Sequence, residues 1–424
     1  MKEDFLHYLW KYSLYGNKPL QLTDGTNVEV ISCGEHNNDS GPDFFNAKVK
    51  IGNTVWAGNI EIHVLASDWH RHKHQNNKAY DNIILHVVAK NDTDIKRENG
   101  KLIPALELIS PKGVYEQYLY LMQSKSWVAC ETFIKKINEF IIIDWKQALL
   151  IERLQEKSKI IEERFIANNK NWEETFYQTL AANFGFKTNS LPFEMLAKSV
   201  PVNYLGKHKD NLLLIEAMLF GQSGLLPKKP KEPYTIQLLK DYEHLKNKFN
   251  LQPMSGHLWK FSKLRPSNFP TVRLAQFAAL IHNSNALMSK IIEAENFSEV
   301  KKYFDVEASG YWKKHYVFEK ASTHRNKKFG DTAFQNIVIN TIAPFFALYG
   351  SLKNNPHYTQ KALNWLTQLK PEQNSITKHW SELGLNVKNA FDSQSLIQLK
   401  NSYCNKKKCL NCRIGNQVIK HNFE

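Results

Sequence analysis

A chain of 424 residues is too long for one ordinary hydrophobic core, so two or three domains are expected. Its 42% hydrophobic and 23% charged residues are those of a globular protein and exclude a fibrous or largely disordered chain. Lysine and arginine outnumber aspartate and glutamate by 56 to 41, a formal net charge of +15 that suits nucleic acid as a partner and equally suits a merely solvated basic exterior.

No stretch approaches the ~18 apolar residues of a membrane helix, and the first residues, MKEDFLHYLWKY, lack the long apolar core of a signal peptide. Five cysteines do not make a disulfide framework. A reduced, cytoplasmic protein without a membrane partner is expected.

In chain order, Phe5, Leu6, Leu9 and Trp10 recur at helical spacing and predict a short amphipathic helix over residues 3–12. A turn-rich stretch leads to a strand at 28–31 and then to a polar loop carrying Glu35 and His36. Residues 45–64 alternate apolar and polar positions on either side of Gly52-Asn53, which predicts a β-hairpin. The two-residue period of a strand places Glu61 and His63 on one face, and a hairpin partner brings Asp43 close to Glu61.

Residues 68–82 read as a helix with Asp68 as its N-cap. On it His70 and His74 share a face at a spacing able to chelate a metal. With Arg71 and Lys73 between the histidines, the favoured alternative is a basic, phosphate-contacting helix surface. The continuous apolar run IILHVV at 83–88 predicts a strand covered on both sides, with His86 as a core histidine. An edge strand is expected at 102–108.

Beyond residue 113 helical spacing takes over, at 114–122, 133–165, 172–184, 211–220, 236–249, 272–293, 332–349, 360–369 and 387–403. Residues 226–233, rich in proline, read as a loop. The expected organisation is an α/β domain over 1–112 in the order αβββαβ, a large all-α domain over 113–400, and a cysteine-rich tail over 401–424.

Two further motifs carry chemistry. The tail holds Cys404, Cys409 and Cys412 at C-x4-C-x2-C, a pattern suited to zinc or an iron–sulfur cluster, with Cys130 or His421 as fourth ligand. Arg265 and Arg273 flank the start of a helix, where they suit either a phosphate or a structural turn.

Gly41-Pro42-Asp43 followed by Glu61-Ile62-His63, in that order of elements, resembles the PD-(D/E)XK restriction-endonuclease-like superfamily over about residues 1–110. The resemblance implies a metal-dependent nuclease in which Asp43 and Glu61 hold Mg2+ or Mn2+ and the residue two beyond the glutamate acts on the attacking water. That residue is His63 rather than the lysine of the superfamily. Histidine is mostly neutral near pH 7, so it can act as a general base or ligate a softer ion such as Mn2+, Fe2+ or Zn2+. The chain as a whole also resembles a bacterial family known only as a domain of unknown function, through GPDFFNAKVKIGNTVWAGNIEIH, LRPSNFPTVRLAQF and DSQSLIQLKNSYC.

Three functions are compatible with these residues. The first is a metal-dependent nuclease acting on DNA or RNA. The second is a non-catalytic nucleic-acid-binding or scaffold protein on a degenerate nuclease fold, and the third a metalloenzyme of other chemistry using His63, His70 and His74.

Overall fold

The hairpin at Gly52-Asn53 is the centre of a seven-stranded mixed sheet. In the computed structural model, which describes residues 1–15, 19–37, 39–111, 113–284 and 286–420, the elements begin with helix α1 (Glu3–Lys11) and strands β1 (Leu20–Gln21), β2 (Asn27–Ser32) and β3 (Glu35–His36). They continue with β4 (Phe44–Ile51), β5 (Thr54–Leu65), the one-turn helix α2 (Asp68–Arg71), β6 (Ile83–Lys90), β7 (Ala105–Glu107) and α3 (Val114–Gln123).

Sheet order is β1-β2-β4-β5-β6-β7, with β3 pairing β4. The pairs up to β4–β5 are antiparallel, and β5–β6 and β6–β7 are parallel. Gly52, at φ +59, makes the tight turn that sets Ile51 opposite Thr54. A bridge between Leu22 and Leu106, with Thr23 N–H donating to Ala105 at 3.0 Å, joins the two edges. The sheet is thereby a nearly closed, barrel-like surface, and β7 is not a free edge.

Alternation explains the packing. Ile60 and Ile62 are fully buried on β5, and Phe5, Leu6, Leu9 and Trp10 of α1 are fully buried as well. At Gly58 the chain next to β6 passes too closely for a side chain, since a Cβ there would lie 2.4 Å from Ile84 Cγ2 and 2.9 Å from the Asn82 carbonyl oxygen.

The chain forms two compact units. One comprises Met1–Trp145 with the segment from Leu399 onward, and the other is Lys146–Gln398. The second is largely helical, with one two-stranded ladder (His315–Val317 with Lys320–Ala321), and it buries Phe184, Phe193, Phe220, Phe277, Trp312, Phe345 and Phe346 in its core.

Several sequence expectations require correction. Residues 68–82 are not one helix: α2 ends at Arg71, and Lys73 takes a left-handed φ of +62 before two short 3-10 turns at His74–Asn76 and Lys78–Tyr80. Asp68 is the first helical residue rather than the cap, and its carboxylate accepts the Leu65 N–H. The helix expected at 133–165 starts at Glu139, after a 3-10 segment. That expected at 272–293 is two helices, Pro270–Asn283 and Leu287–Glu293, with Ala286 left-handed between them. Helices at Phe186–Ser199, whose Pro192 hid it, and at Arg413–Lys420 went unanticipated.

Candidate functional site

Asp43 immediately precedes β4, and the antiparallel register delivers it to the face of β5 that carries Glu61. Asp43 Oδ2 accepts the Ile62 N–H at 2.8 Å, while Asp43 N–H donates to Glu61 Oε2 at 3.2 Å. The two carboxyl groups are thus held side by side, each side chain fixed in its rotamer by a backbone N–H of the other strand.

His63, two residues along the same strand, is 1% exposed and Glu61 is 4% exposed. His63 Nε2 lies 3.7 Å from Glu61 Oε1 and 3.2 Å from His72 Nδ1. Its Nδ1 lies 2.8 Å from Nε2 of the fully buried His86 on β6, the neighbouring parallel strand. His74 completes the group, with Nε2 3.0 Å from Glu61 Oε1 and its ring stacked on Tyr80 at 3.9 Å.

The break at Lys73 is what brings His72 and His74 to the same side. On a continued helix, residues two apart would diverge by about 200°. His70, expected to pair with His74, is instead exposed. Among the described residues, the ligand nitrogens of His63, His72 and His74 form a set lying within 4.8 Å of one another.

Electrostatics follow from burial. Glu61 is pushed up to about 9, first by burial and then by the charge of Asp43. His63 falls to about 2 and His86 to about 4, mainly through burial and then through neighbouring imidazoles, and burial lowers His74 as well. These rings are therefore neutral, with lone pairs available. The buried His74 Nε2 has Glu61 Oε1, at 3.0 Å, as its polar neighbour.

α1 contributes residues that the sequence pattern did not flag. His7 Nε2 lies 3.3 Å from Asp43 Oδ2. Burial depresses this imidazole, but the adjacent Asp43 outweighs that and raises it. Half-buried Glu3 lies one helical turn earlier, within range of His7, Asp43 and His72. Their i,i+4 spacing on α1 was a visible signal, but only the fold shows which strand end the helix covers. His36 stands beside His7, at 5.6 Å between ring centroids, whereas Glu35 is exposed on β3.

The remaining expected site residues lie elsewhere. Arg71 pairs with Asp68 at 2.9 Å, and Lys73 is exposed. In the helical unit Arg265 is exposed. Arg273 is buried: it donates to Gln276 and Asn268, and its guanidinium lies over the Phe186 and Phe329 rings. Cys404, Cys409 and Cys412 share the sheet unit with Cys130, whereas His421 lies outside the described residues.

Fold and site together define a two-unit protein whose sheet unit presents a histidine–carboxylate cluster around β5. The chain belongs to the family described as "Protein of unknown function (DUF2851)", whose model matches residues 3–375. No curated protein and no solved structure matches it. Among the described residues, no helix is long and apolar enough to cross a membrane.

Proposed function

We propose that the sheet unit is a metal-dependent phosphodiesterase centre acting on nucleic acid, with a divalent transition ion held by His63, His72, His74 and Glu61. The observation that carries this reading is the convergence of three imidazole nitrogens within 4.8 Å, with Glu61 Oε1 3.0 Å from one of them and 3.7 Å from another. Imidazole favours zinc, iron or manganese over magnesium, so the donor set fits a softer ion than two carboxylates alone would select.

Such an ion supplies Lewis acidity and a water acidified toward neutral pH. His86 fixes the orientation of His63 from behind, the role usual for a second group on a ligating imidazole. Asp43, held by Ile62 N–H and flanked by His7, remains beside the cluster to accept a proton from the attacking water. His72 is exposed and marks the side from which a substrate would approach.

Nucleic acid as substrate is supported by the net charge of +15. The order α1, three antiparallel strands (β2, β4, β5), a short helix and a parallel strand (β6), with Asp43 beside Glu61, is in keeping with the restriction-endonuclease-like reading. The single turn of α2 and the near-closure of the sheet depart from that pattern. His63, with both ring nitrogens engaged, favours a second reading in which the site binds nucleic acid without cleaving it.

The test is cleavage of single- and double-stranded DNA and RNA by full-length protein loaded with Zn2+, Mn2+ or Fe2+, beside Asp43→Ala and His72→Ala. Metal-dependent cleavage abolished in both variants supports the proposal. Metal binding without cleavage, together with salt-sensitive nucleic-acid binding, leaves the second reading. Full cleavage by Asp43→Ala overturns the first.

A further inference from the structure

A second set of ligand-type side chains lies in the sheet unit, apart from the histidines. Cys130 sits just before the 3-10 segment Glu131–Lys136, and Cys404, Cys409 and Cys412 come from the far end of the chain. The fold brings all four within electrostatic reach of one another, although the whole helical unit separates them in sequence.

All are free thiols. Cys130 and Cys412 are 8% and 6% exposed, and Cys404 and Cys409 are half-buried. Four weakly polar thiols confined together gain little from one another, and their proximity is explained best by a shared cation.

The surrounding backbone is shaped to them. Gly415 packs so closely on the turn after Lys408 that a Cβ would lie 2.3 Å from the Cys409 carbonyl oxygen. The N–H groups of Ile414 and Gly415 bear on the Cys412 sulfur, and beside it the buried Trp145 indole N–H has no oxygen partner. Donors aimed at a sulfur stabilise a thiolate ligand. Lys400 and Lys407 tie the tail down by donating to the carbonyl oxygens of Trp127 and of Met122 and Ser124.

Spacing selects the ligand. Sulfurs around one tetrahedral zinc stand about 3.8 Å apart, given Zn–S bonds of about 2.3 Å. Among the described residues, no three of these four sulfurs all lie within 4.8 Å of one another. A cluster that places several irons and sulfides between its thiolates fits that wider frame. We propose that Cys130, Cys404, Cys409 and Cys412 ligate an iron–sulfur cluster that closes the end of the chain onto the sheet unit. Its place is structural: the helix Arg413–Lys420 packs on α3, and Tyr118 of α3 stacks on Phe5 of α1 at 4.6 Å. α1 in turn carries Glu3 and His7 to the other site.

The experiment is anaerobic purification of the full chain, with iron, acid-labile sulfide and zinc quantified and the visible charge-transfer spectrum recorded. Iron and sulfide in stoichiometric amounts are expected. They are to be lost in Cys130→Ser and Cys412→Ser and retained in Cys33→Ser, the cysteine outside the group, and in His72→Ala. Retention in His72→Ala separates this site from the histidine cluster. Stoichiometric zinc without sulfide overturns the proposal, as does acid-labile sulfide that survives both cysteine variants. Should those variants prove insoluble, alkylation of the native wild-type chain decides: four protected cysteines released by iron chelation support the cluster, and free reaction of all five overturns it.

Discussion

Glu61 offers the sharpest test of the proposed centre, because its burial has a cost that an ion would remove. Its carboxyl stands at about 9, against an ordinary 4.5. Between those values the folded protein keeps a proton that the unfolded chain has released, so metal-free stability falls as pH rises through that window. At pH 7 the interval is 2.5 units, which at about 1.36 kcal/mol per unit amounts to ~3 kcal/mol. Glu61→Gln keeps the shape without the ionisation. The metal-free variant should therefore be more stable than the wild type by up to ~3 kcal/mol at neutral pH, with the difference vanishing toward about pH 4.5.

An ion must displace the same proton. Wild-type affinity should rise about tenfold per pH unit from neutrality toward pH 9, with about one proton released per ion, while Glu61→Gln binds weakly and without that slope. Thermal melts in chelator at about pH 5 and about pH 8 read the first effect. Calorimetric metal titrations in buffers of different ionisation enthalpy read the second. A Glu61→Gln protein that is less stable at neutral pH without metal, or metal uptake that releases no proton, refutes the reasoning.

Other consequences are more local. His86→Ala, which removes the support behind His63, should weaken metal binding by about 10–100-fold in a competition titration while leaving stoichiometry unchanged. Gly58→Ala forces a methyl against Ile84 and the Asn82 carbonyl oxygen, and should destabilise the sheet unit by about 1–3 kcal/mol in chemical denaturation. In the helical unit, burial and then Arg153 hold the Lys157 amine down to about 7 against an ordinary 10.5. The unfolded chain therefore binds the extra proton between those values and stability rises with pH there. The wild-type minus Lys157→Met difference should climb by about 1.4 kcal/mol per unit across that window and be flat above it.

What the sequence disclosed follows from how local each signal is. Alternation along residues 54–65 was enough to pair Glu61 with His63, and the Gly52-Asn53 turn was enough to bring Asp43 back to them, because strand and hairpin geometry is set by neighbours. The apolar run at 83–88 likewise announced a covered strand, and β6 is buried throughout Ile83–Val88. That His74 joins His72 rather than His70 was hidden because helical periodicity extends past a break made by one left-handed residue, Lys73. Glu3 and His7 were hidden because a helix's own pattern does not say which strand end it covers. Near-closure of the sheet depends on a two-residue strand, β1, and on the pairing of Leu22 with Leu106, which no local pattern encodes. The cysteine spacing stood out, whereas the nearness of Cys130 to the tail cysteines needed the fold.

The sheet unit is built from both ends of the chain, with Lys146–Gln398 inserted between its parts. On the ribosome this imposes an order of events. After Trp145 emerges, about 250 more residues must be made before Leu399 appears, an interval of about 10–50 s at ~5–20 residues per second. Throughout it the nascent sheet holds Cys130 without the three tail cysteines that later lie near it, and α3 without the helix that later packs on it. The contiguous helical unit can complete its core in that time, so the segment synthesised in the middle is positioned to finish folding before the one synthesised first.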